Sequence, residues 1–239
     1  MSLGLDPLLR RYCEMLASPE LPIMESVERA TQLKTAKPQD ASDPIQGRLL
    51  RLLSTLAQPK FILEVGTMSA VATINLAKGL VEGGKLTTIE WNEDLKPIID
   101  KHLAAANVDQ KVNVIYDKAI ETIPTITERI DILYIDAAKR EYIQYIELLI
   151  DQVNPGGLII ADNVLWKGEV TNNEMSTMAR ALDEFNHFRS GSTHLRFEAE
   201  IEIKCAVAVV FTFRPALGLK DRIGGVRLHR LWWVLVLLR

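Results

Sequence analysis

Short apolar runs alternate with helical segments between residues 61 and 188, and this alternation restricts the fold more than any other feature of the sequence. The runs are about four to six residues long and the helices about 10–13, as in repeated βαβ units around a parallel sheet. The runs are continuously apolar because helices cover both faces of such a sheet. The predicted strands are Phe61–Val65, Lys85–Glu90, Val112–Tyr116, Asp131–Ile135 and Leu158–Ala161.

Helices and a terminal hairpin complete the predicted architecture. Helical spacing of apolar residues covers 5–35, with a break at Pro19 and Pro22, and resumes over 45–56. Pro155-Gly156-Gly157 predicts a turn before the fifth strand. Near the end, Phe197–Ile203 and Val207–Phe213 follow each other too closely for a crossover helix, so they predict an antiparallel hairpin at the sheet edge. The helices that follow the five strands are predicted at Ser69–Leu80, Leu95–Ala106, Ala119–Ile126, Glu141–Val153 and Thr177–Phe188.

These elements predict an α/β fold, a Rossmann-like doubly wound sheet that is mostly parallel with helices on both faces. A chain of 239 residues suits one such domain. We assign residues 1–213 to it, with N-terminal helices over 1–57 and the α/β core over 58–213. Residues 214–239 form a basic and apolar tail, which carries six basic residues against one acid, Asp221. Such a tail is more typical of a solvated segment than of a site for an anionic partner.

Composition indicates the cellular compartment and limits the classes of binding partner. The formal net charge of −3 gives no general reason to expect nucleic acid. The two cysteines, Cys13 and Cys205, exclude a disulfide framework and indicate a reducing compartment. No signal peptide is evident, and the apolar run Leu231–Leu238 is far shorter than the ~20 residues of a membrane-spanning helix. We therefore expect a cytoplasmic protein that does not bind a membrane.

Ligands of an open doubly wound sheet bind at the carboxyl ends of its strands, which selects the residues to consider. Glu90 ends the second strand, where an acid can accept hydrogen bonds from both hydroxyls of an adenosine ribose. The turn after the first strand has Gly66 without the GxGxxG pattern, so a dinucleotide is disfavoured. The other residues at strand ends are Glu64, Thr67, Asp117, Lys118, Ala119, Asp136, Asp162 and Asn163.

Asp136, Asp162 and Asn163 offer hard oxygen donors of the kind that Mg²⁺ or Ca²⁺ prefers. The alternative is that the two aspartates only cap the helices that follow them. Lys139 lies three residues after Asp136, where it could be solvated, or could serve as a base if a neighbouring divalent cation and a partly dry cleft lowered its pKa. Trp166 could form one wall of a pocket for a planar substrate, or be a half-buried loop tryptophan. The four histidines are predicted to be structural or surface residues.

Four segments resemble the cation-dependent O-methyltransferases that use S-adenosylmethionine, the group that includes the caffeoyl-CoA and catechol O-methyltransferases. They are FILEVGT (61–67), TIEWNEDL (88–95), DILYIDAAKREYIQYIELL (131–149) and NPGGLIIADNVLWKGEV (154–170). The resemblance covers about residues 43–198. It implies a seven-stranded sheet that ends in an antiparallel hairpin, and an enzyme that is commonly a dimer. The N-terminal helices and the apolar run near the end of the chain could supply the dimer interface.

The resemblance also implies the site. S-adenosylmethionine would lie over Glu64, Gly66 and Thr67, with Glu90 on its ribose and the backbone of Ala119 near the adenine. Asp136, Asp162 and Asn163 would hold one divalent cation, usually Mg²⁺, and Asp136 would also face the cofactor. The cation would chelate two vicinal hydroxyls of an aromatic substrate. Lys139 matches the lysine that accepts the proton, and loops 37–44 and 166–176 would line the substrate pocket.

The sequence departs from the family at three places. Ala70-Val71-Ala72 stands where the family usually has Gly-Tyr-Ser, Lys118 precedes the adenine-side alanine, and Cys205-Ala206-Val207 replaces a Gly-Asp-Gly turn. These departures and the basic tail keep open a second hypothesis, a non-catalytic or weakly cofactor-binding relative with a partner-binding role. A nicotinamide-dependent oxidoreductase is a third, disfavoured by the missing glycine pattern.

Overall fold

The computed structural model describes residues 7–16, 20–34, 44–191, 195–203, 206–213 and 233–237. Side chains are described up to residue 188, except at a few positions in the first two helices. The chain begins with three helices, α1 (Pro7–Leu16), α2 (Pro22–Lys34) and α3 (Pro44–Ala57). Each begins at a proline, whose fixed φ suits the first turn and whose missing N–H is not needed there. The predicted helix over 45–56 is confirmed.

Strands and helices alternate from residue 61 as the apolar pattern predicts. The elements are β1 (Phe61–Val65), α4 (Val71–Ala77), β2 (Lys85–Glu90), α5 (Lys96–Ala105), β3 (Val112–Tyr116), α6 (Ala119–Thr122), β4 (Ile130–Ile135), α7 (Tyr142–Leu149), β5 (Val153–Asp162) and α8 (Thr177–Gly191). Short 3₁₀ turns precede α5 and α7 and follow α6 and α7, so these α-helices are shorter than predicted. No helix in the described part of the chain is long and apolar enough to cross a membrane.

The first five strands pair in parallel in the order β3-β2-β1-β4-β5. The order reverses between β1 and β4, which makes the carboxyl ends of these two strands the topological switch point. The backbone of Asp136 donates its N–H to the carbonyl of Val65 at 2.9 Å, so the loops after β1 and β4 separate only beyond this point. A crevice at this edge of the sheet is therefore the place where a ligand is expected.

Two apolar clusters show that helices cover both faces of the sheet. In β1, Leu63 and Val65 pack in one cluster, with Tyr142 of α7 and Phe185 of α8, whereas Ile62 packs in the other, with α3, α4 and α5. This alternation along one strand is the period of two that places successive side chains on opposite faces. The predicted Rossmann-like α/β fold with a parallel sheet and flanking helices is confirmed.

The predicted turn at Pro155-Gly156-Gly157 is wrong. These residues lie inside β5, which runs ten residues from Val153 to Asp162. The pairing of β4 with β5 shifts register between Ile130 and Ile132, and Gly156 adopts a positive φ of 86°. The segment therefore forms an irregularity in one continuous strand, because a glycine lets the backbone bulge without leaving the sheet.

The expected count of seven strands is also wrong. Beyond α8 the backbone forms β6 (Leu195–Ile203), β7 (Ala206–Phe213) and β8 (Trp233–Leu237), and β8 pairs in parallel with β5. The apolar run of the tail thus adds a strand that the family pattern does not include. The side chains of these three strands and residues 214–232 lie outside what the structure describes. Residues 35–43 do as well, and they include most of the predicted substrate loop over 37–44.

Candidate active site

The turn after β1 depends on a glycine. Gly66 has a φ of 102° and donates its N–H to the carbonyl of Ile89 at 2.9 Å. A Cβ atom at this position would lie 2.1 Å from the carbonyl oxygen of Asp136. Only glycine therefore lets the turn after β1 lie against the end of β4. Beside it, the hydroxyls of Thr67 and Thr88 are 2.6 Å apart and link this turn to β2.

Glu90 is held by the backbone at the end of β2. Its Oε2 accepts the N–H of Met68 at 2.7 Å, its Oε1 accepts the N–H of Asn92 at 2.9 Å, and its side chain is nearly buried. A carboxylate has about four acceptor sites, so both oxygens can still accept from ribose hydroxyls. Ala119 is the first residue of α6, which follows the neighbouring strand β3. Between them, Asp117 donates its N–H to the carbonyl of Glu90. The residues expected around a nucleoside thus follow adjacent strands.

Ala70, the first residue of the Ala70-Val71-Ala72 segment, has a strained backbone conformation. It precedes α4 with a φ of 67°, in the left-handed region, and its side chain is fully buried. A residue with a Cβ atom costs about 1–2 kcal/mol in this conformation. A glycine at this position would avoid that cost, because it has no Cβ atom.

Glu64 is the most perturbed acid of the site. It is fully buried in β1, Oε2 accepts a hydrogen bond from the Thr73 hydroxyl at 2.6 Å, and Oε1 has no hydrogen-bond partner among the described residues. Burial raises the pKa of Glu64 to about 8, although hydrogen bonds from Thr73 and Thr88 partly oppose the rise. The carboxyl is therefore mostly protonated at neutral pH, and its second oxygen is available for a ligand's positive group.

This raised pKa predicts how stability changes with pH. Between about pH 4.5 and 8 the folded chain keeps the proton on Glu64 while the unfolded chain loses it, so the free energy of unfolding should fall as pH rises. We expect a fall of about 1.4 kcal/mol per pH unit in the wild type relative to a Glu64→Gln variant. Urea unfolding at pH 5.5, 6.5 and 7.5 measures it. Glu93→Gln, at an exposed neighbour, should track the wild type, whereas parallel curves for Glu64→Gln would contradict the assignment.

Asp136, Lys139 and Tyr142 form a hydrogen-bonded group at the end of β4. The ammonium of Lys139 donates to Oδ1 of Asp136 at 2.6 Å and to the hydroxyl of Tyr142 at 2.7 Å. The Tyr142 hydroxyl also lies 3.2 Å from the carbonyl oxygens of Ile135 and Asp162, so it can accept from Lys139 and donate to one of these carbonyls. Tyr142 is fully buried and thereby links the ends of β4 and β5.

The lowered pKa of Lys139 is expected only beside a divalent cation, so it stays a prediction, and the ion pair with Asp136 alone has the opposite effect. Burial is the largest single effect and would lower the pKa of Lys139. The negative charge of Asp136 and its hydrogen bond, together with the electrostatic effects of Tyr142 and Asp162, outweigh burial and raise the pKa above its ordinary value. The ion pair is largely dry, with side-chain exposures of 9% for Lys139 and 16% for Asp136. Lys139 is therefore a cation here, and it becomes a base only if the charge of Asp136 is engaged elsewhere.

The carboxylate of Asp162 is fully buried and faces α3. Its Oδ2 accepts a hydrogen bond from the side-chain amide of Gln46 at 2.6 Å and lies 3.4 Å from the hydroxyl of Tyr134, and its Oδ1 accepts the N–H of Asn163. Asn163 has a φ of 62°, a left-handed conformation that asparagine tolerates. No group of three or more histidine, cysteine or acidic side chains that could hold a metal ion occurs in the described part of the chain, so a cation here would need Asn163 as well.

The two carboxylates and the amide nevertheless have the chemistry that a hard divalent cation requires. The structure joins Asp136 to Lys139 and places Asp162 close enough to influence the pKa of Lys139. The convergence of Asp136, Asp162 and Asn163 on one ion stays a prediction.

Trp166 begins a loop with unusual backbone geometry. Trp166 and Lys167 have φ values of 43° and 55°, and Gly168 follows with 85°. The indole is half-buried and packs against the apolar cluster that contains Tyr142 and Phe185. Consecutive left-handed residues are costly and cluster at functional loops. The role of Trp166 as a pocket wall stays a prediction. Of the histidines, His102 is buried against the carbonyl of Ser69 and His187 is exposed, whereas His194 and His229 lie outside the described side chains.

Three residues of the site were missed by sequence reasoning. Gln46 lies 116 positions from Asp162, and nothing local marks it as a partner. Tyr134 is hidden inside an apolar strand pattern. Tyr142 could have been found, because it follows Lys139 by three residues at the start of a helix, where such spacing places side chains on one face.

Comparisons with known proteins agree with this geometry. A family model described as O-methyltransferase matches residues 14–202. A catechol O-methyltransferase of Niastella koreensis is 32% identical over 161 residues, which cover 65% of this chain and 73% of that protein. A catechol O-methyltransferase of Mycobacterium tuberculosis is 32% identical over 134 residues, 56% of this chain and 61% of that protein. The crystal structure of an O-methyltransferase from Bacillus cereus in complex with SAH is 26% identical with a TM-score of 0.75, over 81% of this chain and 90% of that one.

Proposed function

The chain belongs to the O-methyltransferase family, and we propose that it transfers a methyl group from S-adenosylmethionine to a hydroxyl of a catechol-like small molecule with the help of a divalent cation. The cofactor is supported by solved relatives that contain S-adenosylmethionine or SAH. The substrate class and the cation are supported by the catechol O-methyltransferases that the chain resembles. The observation that carries the proposal is the paired Asp136 and Lys139 at the switch point, beside the glycine turn after β1.

In this proposal the nucleoside end of the cofactor is held by Glu90, Thr67 and Ala119, and the methionine end by Glu64 and Gly66. When bound, S-adenosylmethionine supplies an electrophilic methyl group on a sulfonium. Glu64 supports this placement, because its unpartnered oxygen would gain a charge-assisted hydrogen bond from the cofactor's ammonium. That bond would favour the ionised carboxylate and so release a proton on binding near neutral pH.

The cation, Mg²⁺ in our proposal, would be held by Asp136, Asp162 and Asn163. When bound, it lowers the pKa of the substrate hydroxyl and orients two vicinal oxygens. Asp136 would then share its charge with the cation, which weakens the interaction that raises the pKa of Lys139. Lys139 could then release its own proton to solvent and, as a neutral amine, accept the hydroxyl proton, while its hydrogen bond to Tyr142 would keep its nitrogen in place.

The transfer itself balances without an oxidant or reductant. The methyl group would move from sulfur to the substrate oxygen and leave its electron pair on sulfur, and the hydroxyl proton would go to the neutral amine of Lys139. The protein's main task is to align the phenolate oxygen with the methyl group. Trp166 is proposed as one wall of the pocket that holds the aromatic ring.

Methyl transfer to catechol is the direct test of this function. With radiolabelled S-adenosylmethionine and purified chain, we expect labelled product with Mg²⁺ and a loss of at least about 100-fold in rate after a chelator is added, which Mg²⁺ restores. Phenol, which lacks the second hydroxyl, serves as the control acceptor and should be methylated far more slowly. Equal rates with and without chelator would remove the cation from the mechanism.

The second hypothesis is a relative that binds cofactor weakly and has a partner-binding role, and the strained Ala70 is the observation that favours it. Calorimetry with S-adenosylmethionine separates the two, because the absence of binding up to millimolar ligand would favour the non-enzyme.

A cytoplasmic homodimer with one domain over 1–213 is also part of our proposal. Light scattering that gives the mass of a single chain would contradict the dimer.

A further inference from the structure

We infer that Gln46 is a positioning residue that sets the orientation of the Asp162 carboxylate and, through it, the affinity of the proposed cation site. This inference rests on the proposed function. Its basis is the buried contact between the Gln46 amide nitrogen and Oδ2 of Asp162, 2.6 Å long, which joins α3 to the end of β5. Asp162 reaches the cation in our proposal, and Gln46 acts only through it.

The hydrogen bonds around Gln46 determine the orientation of its side-chain amide. Its Nε2 lies 2.6 Å from the Asp162 carboxylate and 3.2 Å from the Tyr134 hydroxyl, so its two N–H groups can serve both oxygens. The hydroxyl of Tyr134 in turn can donate to Oδ2 of Asp162 at 3.4 Å. The reverse orientation of the amide would place its oxygen against a carboxylate. Glutamine thus supplies a donor without adding a charge to the site.

The donor is held by a closely packed helix. Gln46 lies in the first turn of α3 and is almost completely buried. At the next residue, a Cβ atom on Gly47 would lie 2.7 Å from the side-chain nitrogen of Asn75 in α4. Because α3 and α4 pack this closely, Gln46 cannot follow Asp162 if the carboxylate rotates. The contact therefore fixes the carboxylate in advance of any ligand.

This arrangement has the form of an outer shell around a metal ligand. Residues that hydrogen-bond to liganding side chains orient them, and their substitution lowers metal affinity by about 10–100-fold. Such a loss follows here because a carboxylate that has lost its side-chain donor can adopt other rotamers. Gln46 belongs to the N-terminal helices and not to the α/β core, so these helices would contribute to the cation site.

The test measures cation binding to the full chain without turnover. The probe is Mn²⁺, whose binding is followed by electron paramagnetic resonance. A Gln46→Met variant keeps the length of the side chain and removes its donor, and we expect its Mn²⁺ dissociation constant to rise by about 10–100-fold. Tyr134→Phe, which keeps the ring, should raise it by a smaller factor and decides the question if Gln46→Met does not fold.

Two controls separate positioning from a general structural role. Ser54→Ala removes a buried hydrogen bond from the same helix, to the carbonyl of Leu76, and should leave Mn²⁺ affinity unchanged. S-adenosylhomocysteine affinity, measured by calorimetry, should stay within about twofold of wild type in Gln46→Met. Unchanged Mn²⁺ affinity, or an equal loss for both ligands, would overturn the inference. A wild-type chain that binds no Mn²⁺ would instead refute the cation in the proposed function, and this inference with it.

Discussion

Replacing Lys139 with arginine is expected to lower kcat by about 10²–10⁴-fold, the usual contribution of a general base, while the free energy of unfolding stays close to wild type. The guanidinium keeps a positive charge beside Asp136, which the ion pair at 2.6 Å requires. It cannot lose a proton at any pH at which the protein is folded. The variant therefore removes proton transfer and retains the electrostatic role.

Lys139→Met removes both roles and provides the comparison. We expect the same loss in kcat and, in addition, a destabilisation of about 3–5 kcal/mol, because Asp136 would be left as an unpaired charge in a largely dry site. Urea unfolding and methyl-transfer kinetics on both variants measure these effects. Lys118→Met, which breaks an exposed ion pair with Glu121, should change stability by less than about 0.5 kcal/mol.

The arginine and methionine variants distinguish two roles for Lys139, a proton acceptor and a fixed cation. The raised pKa of Lys139 makes this distinction necessary. If Lys139 acts as a proton acceptor, arginine and methionine should lose activity alike. If it acts only as a fixed cation that stabilises the substrate phenolate, the arginine variant should keep most of its kcat. That second result would contradict the proton transfer that we propose and leave the ion pair as the active feature.

The strands of the core were predictable because burial on both faces leaves a continuous apolar run. Phe61–Val65 and Val112–Tyr116 were predicted with the bounds that the structure gives them. The segment Pro155-Gly156-Gly157 was not, because proline and glycine favour a turn locally, whereas here the pairing of β4 with β5 on either side keeps the chain extended. Neighbouring strands thus outweighed local preference.

The site was predictable where its contacts are local and not where they are distant. Asp136 and Lys139 are three residues apart, and the structure joins them. Gln46 and Asp162 are 116 positions apart in the chain, so no local sequence pattern could connect them. The pKa of Lys139 without a cation also depends on contacts that the sequence does not give. The charges around its ammonium must together outweigh burial, and the 2.6 Å contact with Asp136 is the closest of them.

Gly66→Ala is expected to destabilise the chain by about 2–6 kcal/mol, the sum of a steric and a conformational cost of about 1–3 kcal/mol each. The new Cβ atom would lie 2.1 Å from the carbonyl oxygen of Asp136, which is backbone and cannot move aside without pulling β4 from β1. The φ of 102° adds strain in any residue other than glycine. Urea unfolding measures the loss.

Gly83→Ala isolates the conformational part of this cost. Gly83 also has a positive φ, 74°, but no heavy atom lies within 4 Å of the Cβ position, so we expect a destabilisation of only about 1–2 kcal/mol. The excess for Gly66→Ala then measures how closely the loops after β1 and β4 approach each other. Because Asp136 is the residue that would be displaced, Gly66→Ala should also weaken Mn²⁺ binding, whereas Gly83→Ala should not. Equal losses of stability in the two variants would mean that the switch point is open enough to admit a side chain, and that Gly66 is not what holds Asp136 beside the turn after β1.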